Sequence, residues 1–308
     1  MYCIIPRYSF IFIFVLKYLT TTIKHEGLHG LELVAEALEM DWHDVEAKII
    51  RFIKSYVSKT EAKGVVLGLS GGVDSSTVAA LSAKALGGNN VLGLMLPEAE
   101  TFNPEDLKHA KLVAEKFKLE IETCDITPTL EALYSSIPIF DQEEKLCKGN
   151  LKARVRMVYW YYFANKLGKI VCGSSDKSET MMGYFTKWGD HAADIHPIMD
   201  LYKTQVRKLA YHVGIPKEII EKPATPALWP GQTAEAELGI KYETLDLVLF
   251  ALERFMAPTE IAKQLKIKKS LVEKIKQRWL SMEHKRRLLL TVKLGYRTVG
   301  TDFRLRRG

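Results

Sequence analysis

The chain has 308 residues, and 47% of them are apolar, which is ample for a packed core. Its net charge of +7 comes from 44 basic and 37 acidic residues, and no basic tail dominates. The charge therefore requires only phosphorylated small molecules as partners. The four cysteines form no CxxC pair and have no metal-ligand spacing, which favours a reducing cytoplasm. Two of them, Cys124 and Cys172, lie in apolar runs and are predicted to be buried thiols.

The N-terminal segment, residues 1–39, differs in character from the rest of the chain. Its apolar run at 8–19 is interrupted by a lysine and is too short for a membrane span. The threonines that follow make a poor signal-peptide cleavage site. An amphipathic helix is predicted from Met40 to about Val57. We therefore interpret 1–39 as an N-terminal extension with Met40 as the natural start, and we expect no membrane partner.

Strand-like and helical patterns alternate from residue 60 onward. The predicted strands are 65–69, Val91–Leu96, Leu119–Ile126 and Lys169–Gly173, and the predicted helices between them are 74–86, 104–117, 128–135 and 151–167. This alternation indicates an α/β fold with a doubly wound parallel sheet, which binds ligands beyond the carboxyl ends of its strands. A helical C-terminal lobe should follow, with helices at Leu201–Val213, 241–255, 258–264 and 269–287 and a loop at Pro223–Gly239. Residues 40–308 are read as one domain.

The most informative segment is 65–76, Val-Val-Leu-Gly-Leu-Ser-Gly-Gly-Val-Asp-Ser-Ser. Its glycine-rich turn, between a strand and a helix, presents backbone N–H groups and the helix dipole to an anion. The hydroxyls of Ser70, Ser75 and Ser76 add uncharged donors. Asp74 would repel phosphate unless a divalent cation bridges the two. The loop is not a Walker A motif, because no lysine precedes its serines.

The string Ser-Gly-Gly-Val-Asp-Ser resembles the PP-loop of ATP pyrophosphatases, which split ATP into AMP and pyrophosphate. Four further strings accompany it: 148–157, 173–179, 185–190 and 281–286. Together they closely resemble the ammonia-dependent NAD synthetases over about residues 40–290 in colinear order. The resemblance implies an adenine nucleotide alpha hydrolase-like fold and a ligase. In that family the nicotinate carboxylate of deamido-NAD is adenylated by ATP, and ammonia then displaces AMP to give NAD.

The resemblance also assigns site residues and implies a homodimer with the dinucleotide at its interface. ATP would be bound by Gly68, Leu69, Ser70, Gly71, Gly72, Val73, Asp74, Ser75, Ser174, Lys203 and Thr225. The expected catalytic residues are Asp74, Glu179 and Lys203; the two carboxylates share a Mg²⁺, and the lysine holds a phosphate as a mobile point charge. Deamido-NAD would be bound by Arg154, Lys187, Asp194, Glu237, His284 and Lys285. Arg156, two residues after Arg154, should point to another face of its helix.

Some residues depart from the family pattern. Ser174 stands where threonine is usual, so the hydroxyl is kept and a methyl group is lost. Ala234 and Ala236 stand where aspartates are common, and Pro230 replaces an acidic residue. The 223–239 loop is therefore expected to be less acidic and ordered differently, and the role of Glu237 depends on it.

Other PP-loop enzymes are the nearest alternatives. GMP synthetase and asparagine synthetase normally carry or recruit a glutaminase, for which this chain has no room and no N-terminal catalytic cysteine. Transfer-RNA thiolases need sulfur-handling cysteines or an RNA-binding domain. A glutamine-dependent NAD synthetase would need a further domain. Free ammonia, or ammonia supplied by a separate protein, is therefore the expected donor.

An alternative of another class is DNA binding, because 258–265 followed by 270–275 scans like a helix-turn-helix. The basic residues that would suit DNA phosphates are Lys266, Lys268, Lys269, Lys274, Lys276 and Arg278. We favour a short antiparallel helix pair with a solvated basic face, because Trp279 and Leu280 resemble packing residues. No nucleic acid partner is expected.

Overall fold

A computed structural model describes residues 32–287 and 291–297. Its parallel strands are Val65–Gly68 (β1), Val91–Met95 (β2), Glu120–Thr123 (β3) and Ile170–Val171 (β4). They form one sheet in the order β3-β2-β1-β4. The α/β fold predicted from the sequence is confirmed, although β3 and β4 are shorter than expected.

Helices follow each strand and then form the C-terminal part of the described chain. The longer helices are Trp42–Lys59 (α1), Val73–Leu86 (α2), Pro104–Phe117 (α3), Thr127–Ser136 (α4), Lys145–Leu167 (α5), Lys203–Val213 (α7), Tyr242–Glu253 (α10) and Lys269–Ser281 (α12). The shorter helices are Lys177–Met182 (α6), Lys217–Ile220 (α8), Ala234–Leu238 (α9), Pro258–Gln264 (α11) and Glu283–Arg286 (α13). Two 3₁₀ turns lie at Ala35–Leu38 and Gly88–Asn90. Among the described residues, no helix is both long and apolar enough to cross a membrane.

The order of the strands places a crevice beside β1. The chain passes from β1 to β2 and β3 in one direction and then returns to the other side of β1 to form β4. Helices α2 and α6 follow β1 and β4, respectively, so both begin near this crevice. Ligands of open α/β sheets bind where the strand order reverses in this way.

The central strands β1 and β2 are buried on both faces of the sheet, because their apolar side chains alternate between two clusters. Val65 and Leu67 of β1 belong to one cluster with residues of α1, α2 and α7. Val66 belongs to a second cluster, with Leu92 and Leu94 of β2 and residues of α4 and α5. Strand side chains point alternately to opposite faces, and a parallel sheet covered by helices is apolar on both.

A third cluster holds the C-terminal lobe and includes part of the predicted extension. Leu33 and Leu38 are 5% and 4% exposed and pack with the helices of this lobe. The Leu38 carbonyl accepts a hydrogen bond from Gln205 at 2.9 Å. Residues 32–39 therefore pack on the domain, although the predicted boundary at Met40 placed them outside it. The apolar run at 8–19 lies outside the described residues.

Helices α11 and α12, the segment that scanned like a helix-turn-helix, pack into this third cluster through Ile261, Val272 and Ile275. Trp279 also packs against it, as predicted. The prediction was wrong for Leu280, which is 61% exposed. The helix pair therefore has an internal packing role.

Three further differences from the predicted elements have tertiary causes. Helix α5 begins six residues before its predicted start and includes Gly149. A Cβ at Gly149 would lie 3.0 Å from Leu228, so the glycine allows the loop that carries Leu228 to pack closely against the helix. The predicted loop at 223–239 contains α9, whose alanines favour a helix and whose Ala234 is buried. The predicted helix at 269–287 breaks at Met282, which packs closely against Gly183.

Candidate active site

The glycine-rich loop after β1 has a geometry that other residues cannot adopt. Gly71 has φ +73°, and a Cβ there would lie 2.2 Å from the Asp106 carbonyl oxygen. The hydroxyls of Ser70 and Ser75 lie 3.0 Å apart, and Ser75 donates to the Gly72 carbonyl at 3.1 Å. The loop is thus held by its own serines, and α2 begins directly after it with Val73. A helix N-terminus behind a glycine-rich turn is suited to binding phosphate.

The loop opens onto a cleft at the carboxyl ends of β1, β2 and β4. The predicted site residues that line the cleft are Gly68, Leu69, Ser70, Gly72, Val73, Asp74, Ser75, Ser174, Glu179 and Thr225. Gly71 and Lys203 do not line it, and neither do the six predicted deamido-NAD residues. The structure therefore brings together most of the ATP-binding residues predicted from the sequence.

Three carboxylates meet at one end of the cleft. Asp74, Asp176 and Glu179 each offer an oxygen, and these oxygens all lie within 4.8 Å of one another. Asp176 is fully buried, and Asp74 has one buried oxygen without a hydrogen-bond partner. Oxygen ligands of this kind are those that Mg²⁺ prefers. The cluster contains the predicted metal pair and adds a third carboxylate, Asp176.

Asp176 was not among the site residues predicted from the sequence, although a local signal was present. Asp176 is the N-cap of α6, and its Oδ1 accepts a hydrogen bond from the backbone N–H of Glu179 at 2.8 Å. An aspartate followed three residues later by glutamate is a typical helix start. Because a capping aspartate and the third helical residue lie close together, the pattern also places two carboxylates side by side.

Lys203 is placed differently from the mobile phosphate ligand expected from the sequence. Its side chain is fully buried, and its Nζ lies 2.7 Å from Asp74 Oδ2, 2.7 Å from Asp176 Oδ2 and 2.9 Å from Glu179 Oε1. Burial would lower the pKa of Lys203, but the surrounding carboxylates, Asp176 foremost, raise it well above its usual value. The lysine is a fixed cation inside the cluster.

Electrostatics favour a further cation at this point. Burial raises the pKa of Glu179 well above its usual value, and the charge of Asp176 adds to the shift. Three carboxylates and one ammonium carry a net charge of −2 when all are ionised, which a divalent cation would offset.

A second buried ion network lies at the wall of the cleft that Glu98 lines, and the sequence did not predict it. Lys152 is fully buried and lies 2.7 Å from both Glu98 and Glu100. It also donates to the Leu228 carbonyl at 3.0 Å, which ties this wall to the 223–233 loop. Lys152 lies in the 148–157 string, one of those that resemble the family. Nothing in that string indicated that Lys152 would be buried between Glu98 and Glu100.

The two arginines of α5 point to different surfaces, as predicted. Arg156 lines the cleft and donates to the Leu96 carbonyl at 3.3 Å. Arg154 is exposed and donates to the Lys187 carbonyl at 3.3 Å. Lys187 in turn donates to the His284 carbonyl at 2.6 Å. Three predicted deamido-NAD residues therefore meet on one surface beside the cleft.

The other three predicted deamido-NAD residues have different surroundings. Lys285 donates to the carbonyls of Gly183 and Phe185 at 2.9 and 2.7 Å, so it fastens the C-terminal end of α6. Asp194 is exposed, and its Oδ2 accepts from the Val171 N–H at 2.7 Å at the edge of the sheet. Glu237 is exposed on α9.

A stack of three rings lies behind the loop that follows β4. His191 stacks between Phe185 and His196, with ring centroids 3.9 and 4.7 Å away. Its Nδ1 lies 2.9 Å from the hydroxyl of Ser175. Burial lowers the pKa of His191 to about 4, and the neighbouring His196 adds to the shift. His191 is therefore neutral at neutral pH and packs as an aromatic ring.

Comparison with known proteins agrees with this site. The family model described as NAD synthase matches residues 45–289, which include the glycine-rich loop, the carboxylate cluster and Lys203. The chain belongs to the NAD synthase family. The resemblance identified from the sequence is therefore confirmed.

Relatives of this NAD synthase family member cover most of its length. The NH(3)-dependent NAD(+) synthetase of Methanocaldococcus jannaschii is 49% identical over 246 residues, which are 80% of this chain and 95% of that protein. The enzyme of the same name from Hyperthermus butylicus is 44% identical over 254 residues, or 82% and 91%.

Solved structures show the same fold. The NMN synthetase of Francisella tularensis has a TM-score of 0.73 and 33% identity, covering 82% of this chain and 99% of that one. The NH3-dependent NAD synthetase of Campylobacter jejuni has a TM-score of 0.70 and 29% identity, covering 83% and 100%.

Proposed function

We propose that this protein is an ammonia-dependent NAD synthetase, a ligase that converts deamido-NAD, ATP and ammonia into NAD, AMP and pyrophosphate. The observation that carries the proposal is a PP-loop whose Asp74 meets the carboxylates of Asp176 and Glu179 at one end of the cleft, in a chain of the NAD synthase family. Relatives named NH(3)-dependent NAD(+) synthetase, 40–49% identical over most of the chain, support ammonia as the nitrogen donor.

The phosphates of ATP fit the glycine-rich loop. Backbone N–H groups and the start of α2 supply an anion site, and Ser70 and Ser75 are positioned at its mouth. Ser174 and Thr225 line the same cleft with hydroxyl groups. Glu98 and Glu100 are already neutralised by Lys152 and Lys148, so that wall adds little repulsion.

Mg²⁺ is the divalent cation that we assign to the carboxylate cluster. The cluster offers only oxygen ligands, from Asp74, Asp176 and Glu179. The buried oxygen of Asp74 that has no hydrogen-bond partner is suited to binding such a cation. When bound, the ion neutralises charge on the triphosphate and on the departing pyrophosphate.

The residues of the chain act mainly by positioning and by charge. The nicotinate carboxylate is already ionised, so its attack on the α-phosphate of ATP needs no general base. Neutral ammonia then attacks the acyl carbon of the adenylate, AMP leaves, and the proton lost from nitrogen passes to solvent. Lys203 keeps three carboxylates together at the phosphate end of the cleft, where charge develops during the first step.

The surface formed by Arg154, Lys187 and His284 fits deamido-NAD. It lies beside the ATP cleft, on the side of α5 opposite to Arg156, and its exposed arginine is free to bind a phosphate or carboxylate in a two-pronged manner. Asp194, Glu237 and Lys285 remain further proposed contacts for this substrate.

A homodimer would cover this surface. Val158 and Tyr162 are 58% and 66% exposed and follow Arg154 at intervals of four residues, so the three share one face of α5. Sedimentation of the wild type should give a dimer. Tyr162→Glu should give monomers that bind deamido-NAD more weakly, whereas monomers with normal affinity would contradict a dinucleotide site at the interface.

The cytoplasm is the location that we propose. Cys124, Cys147 and Cys172 are all free thiols, as expected in a reducing compartment. Cys172 is buried as predicted, while Cys124 is only half-buried.

Product analysis of the full chain tests the proposed function. The protein is incubated with Mg·ATP, ammonium and deamido-NAD, and each component is omitted in turn. AMP, pyrophosphate and NAD should appear in equal amounts only when all are present. Because one solved relative is named for NMN, the acid form of NMN is the comparison substrate. A higher kcat/KM with that acid would overturn deamido-NAD as the substrate.

A further inference from the structure

One buried carboxylate links the two helices that build the catalytic cluster. Asp246 of α10 is fully buried. Its Oδ1 accepts a hydrogen bond from the hydroxyl of Ser178 at 2.5 Å, and its Oδ2 accepts one from the backbone N–H of Thr204 at 2.8 Å. Ser178 belongs to α6, and Thr204 is the second residue of α7. A third helix therefore holds α6 and α7 together at their N-terminal ends.

Ser178 completes the link. Its hydroxyl oxygen accepts a hydrogen bond from the backbone N–H of Lys203 at 2.9 Å while its proton is directed at Asp246. The first N–H groups of a helix have no partner within the helix. In α7, the first two are bound by Ser178 and Asp246, while the N–H of the preceding residue, Tyr202, is bound by Gln205 Oε1 at 2.9 Å.

The consequence concerns the direction in which Lys203 leaves the backbone. Lys203 is the first residue of α7, and its ammonium lies among three carboxylates. Glu179 belongs to α6, Asp176 is the N-cap of α6, and Asp74 belongs to α2. A rotation of α7 against α6 would move the ammonium away from Asp176 and Glu179. The contacts of Asp246 oppose such a rotation, although Asp246 does not line the cleft.

We propose that Asp246 is a positioning residue for the NAD-forming reaction. Through Ser178 and the start of α7, it holds the Lys203 ammonium between the carboxylates of Asp74, Asp176 and Glu179. The reaction named here rests on the proposed function, while the positioning itself rests on the contacts of Asp246.

A merely structural role would make a different prediction. It would lower the stability of the protein and leave the kinetics of the folded enzyme unchanged. A positioning role changes kcat more than KM, because the backbone of the PP-loop, which binds ATP, lies on other elements and keeps its place while the Lys203 ammonium moves.

The test compares full-length variants at saturating substrates. Asp246→Ala should lower kcat by about 10–100-fold, the usual effect of removing a partner that orients a site residue, and change the KM for ATP by less than about 3-fold. Asp246→Asn, which keeps the shape and one acceptor, should fall between the wild type and Asp246→Ala. The matched control is Val248→Ala, a fully buried residue of the same helix, which should lose stability but keep kcat.

A double-mutant cycle examines the route through Ser178. Ser178→Ala should also lower kcat, and the double variant should be no slower than Asp246→Ala within about 2-fold, because residues in one hydrogen-bond network are not additive. Additive losses, or an unchanged kcat for Asp246→Ala in an active enzyme, would overturn the proposal.

Crystal structures of the wild type and Asp246→Ala separate the two ideas. Lys203 Nζ should leave at least one of its three carboxylates in the variant, and unchanged contacts would overturn the positioning role. If the wild type makes no NAD while the variant shows a displaced Lys203, the proposed function fails and the positioning role stands.

Discussion

Lys203 Nζ lies 2.7 Å from Asp74 Oδ2, although 129 residues separate the two along the chain. The aspartate lies in the PP-loop string and in the first turn of α2, and the lysine is the first residue of α7 and also contacts Asp176 and Glu179. The contact therefore joins the ATP loop to the proposed metal ligands. The net charge of the cluster therefore depends on both the PP-loop and the start of α7.

Replacing Asp74 should impair adenylation severely. Asp74→Asn keeps the shape of the side chain but removes a charge from the proposed Mg²⁺ site, and we expect the rate to fall by at least about 100-fold, as when a charge-stabilising group is lost. Pyrophosphate release in a single turnover measures this step. The exposed Asp44→Asn should behave like the wild type. Near-normal turnover of Asp74→Asn would contradict the assignment of a metal bridge.

Replacing Lys203 should affect stability as well as activity. Lys203→Met leaves three carboxylates together without their cation, and breaking a buried charge pair of this kind costs about 3–5 kcal/mol. Added Mg²⁺ should restore more stability to this variant than it adds to the wild type, because it replaces the missing charge. Thermal unfolding with and without Mg²⁺ measures the difference, and Lys48→Met on the surface of α1 is the control. Equal Mg²⁺ effects would argue against a cation site here.

The exposed arginine of α5 should affect one substrate selectively. Arg154→Ala is expected to raise the KM for deamido-NAD about 10-fold or more, since a hydrogen bond to a charged group contributes about 1.5–3 kcal/mol. The KM for ATP should change little, because Arg154 does not line the cleft. Steady-state kinetics with each substrate varied give both constants, and Arg51→Ala, another exposed arginine, is the control. Equal effects on both constants would place Arg154 on the ATP side.

The buried His191 predicts a pH dependence of stability. Its pKa is about 4 in the folded protein and 6.5 in an unfolded chain, so the unfolded state binds more protons between these values. This contribution to stability is fully present above pH 6.5 and is lost as the pH falls toward 4. His191→Phe, which preserves ring stacking, should therefore lose less stability than the wild type from pH 7 to about 4.5. Urea unfolding at several pH values measures both, and parallel curves would contradict the prediction.

Two truncated chains test whether residues 32–39, which precede the proposed start at Met40, stabilise the domain. A chain of residues 40–308 lacks Leu33 and Leu38, and each buried leucine contributes about 1.5–3 kcal/mol. It should therefore unfold at a lower temperature than a chain of residues 32–308. Equal unfolding temperatures would show that the contacts of residues 32–39 with the domain are dispensable.

Local patterns made the PP-loop and the α/β fold predictable. A strand, a glycine-rich turn and a helix start are decided by residues next to one another, because backbone conformation and helix capping depend on close neighbours. For the same reason, the helix predicted at 104–117 has these bounds in the structure, where Asn103 caps its N-terminus and Pro104 is its first residue. The resemblance to a known family then supplied the ATP residues, and most of these line one cleft.

Contacts between distant segments were decided only by the tertiary structure. Lys203 was expected to reach a phosphate, but the packing of α7 against α2 and α6 buries it among three carboxylates. No local pattern marked Asp246 as a site residue. Its role depends on Ser178 and Thr204, which lie on other helices and contact it only in the folded protein. The sequence by itself determined which chemistry the chain contains. The packing of α7 and α10 against the elements around the sheet decided which of its charges meet, because this packing brings residues that are far apart in the chain within hydrogen-bond distance.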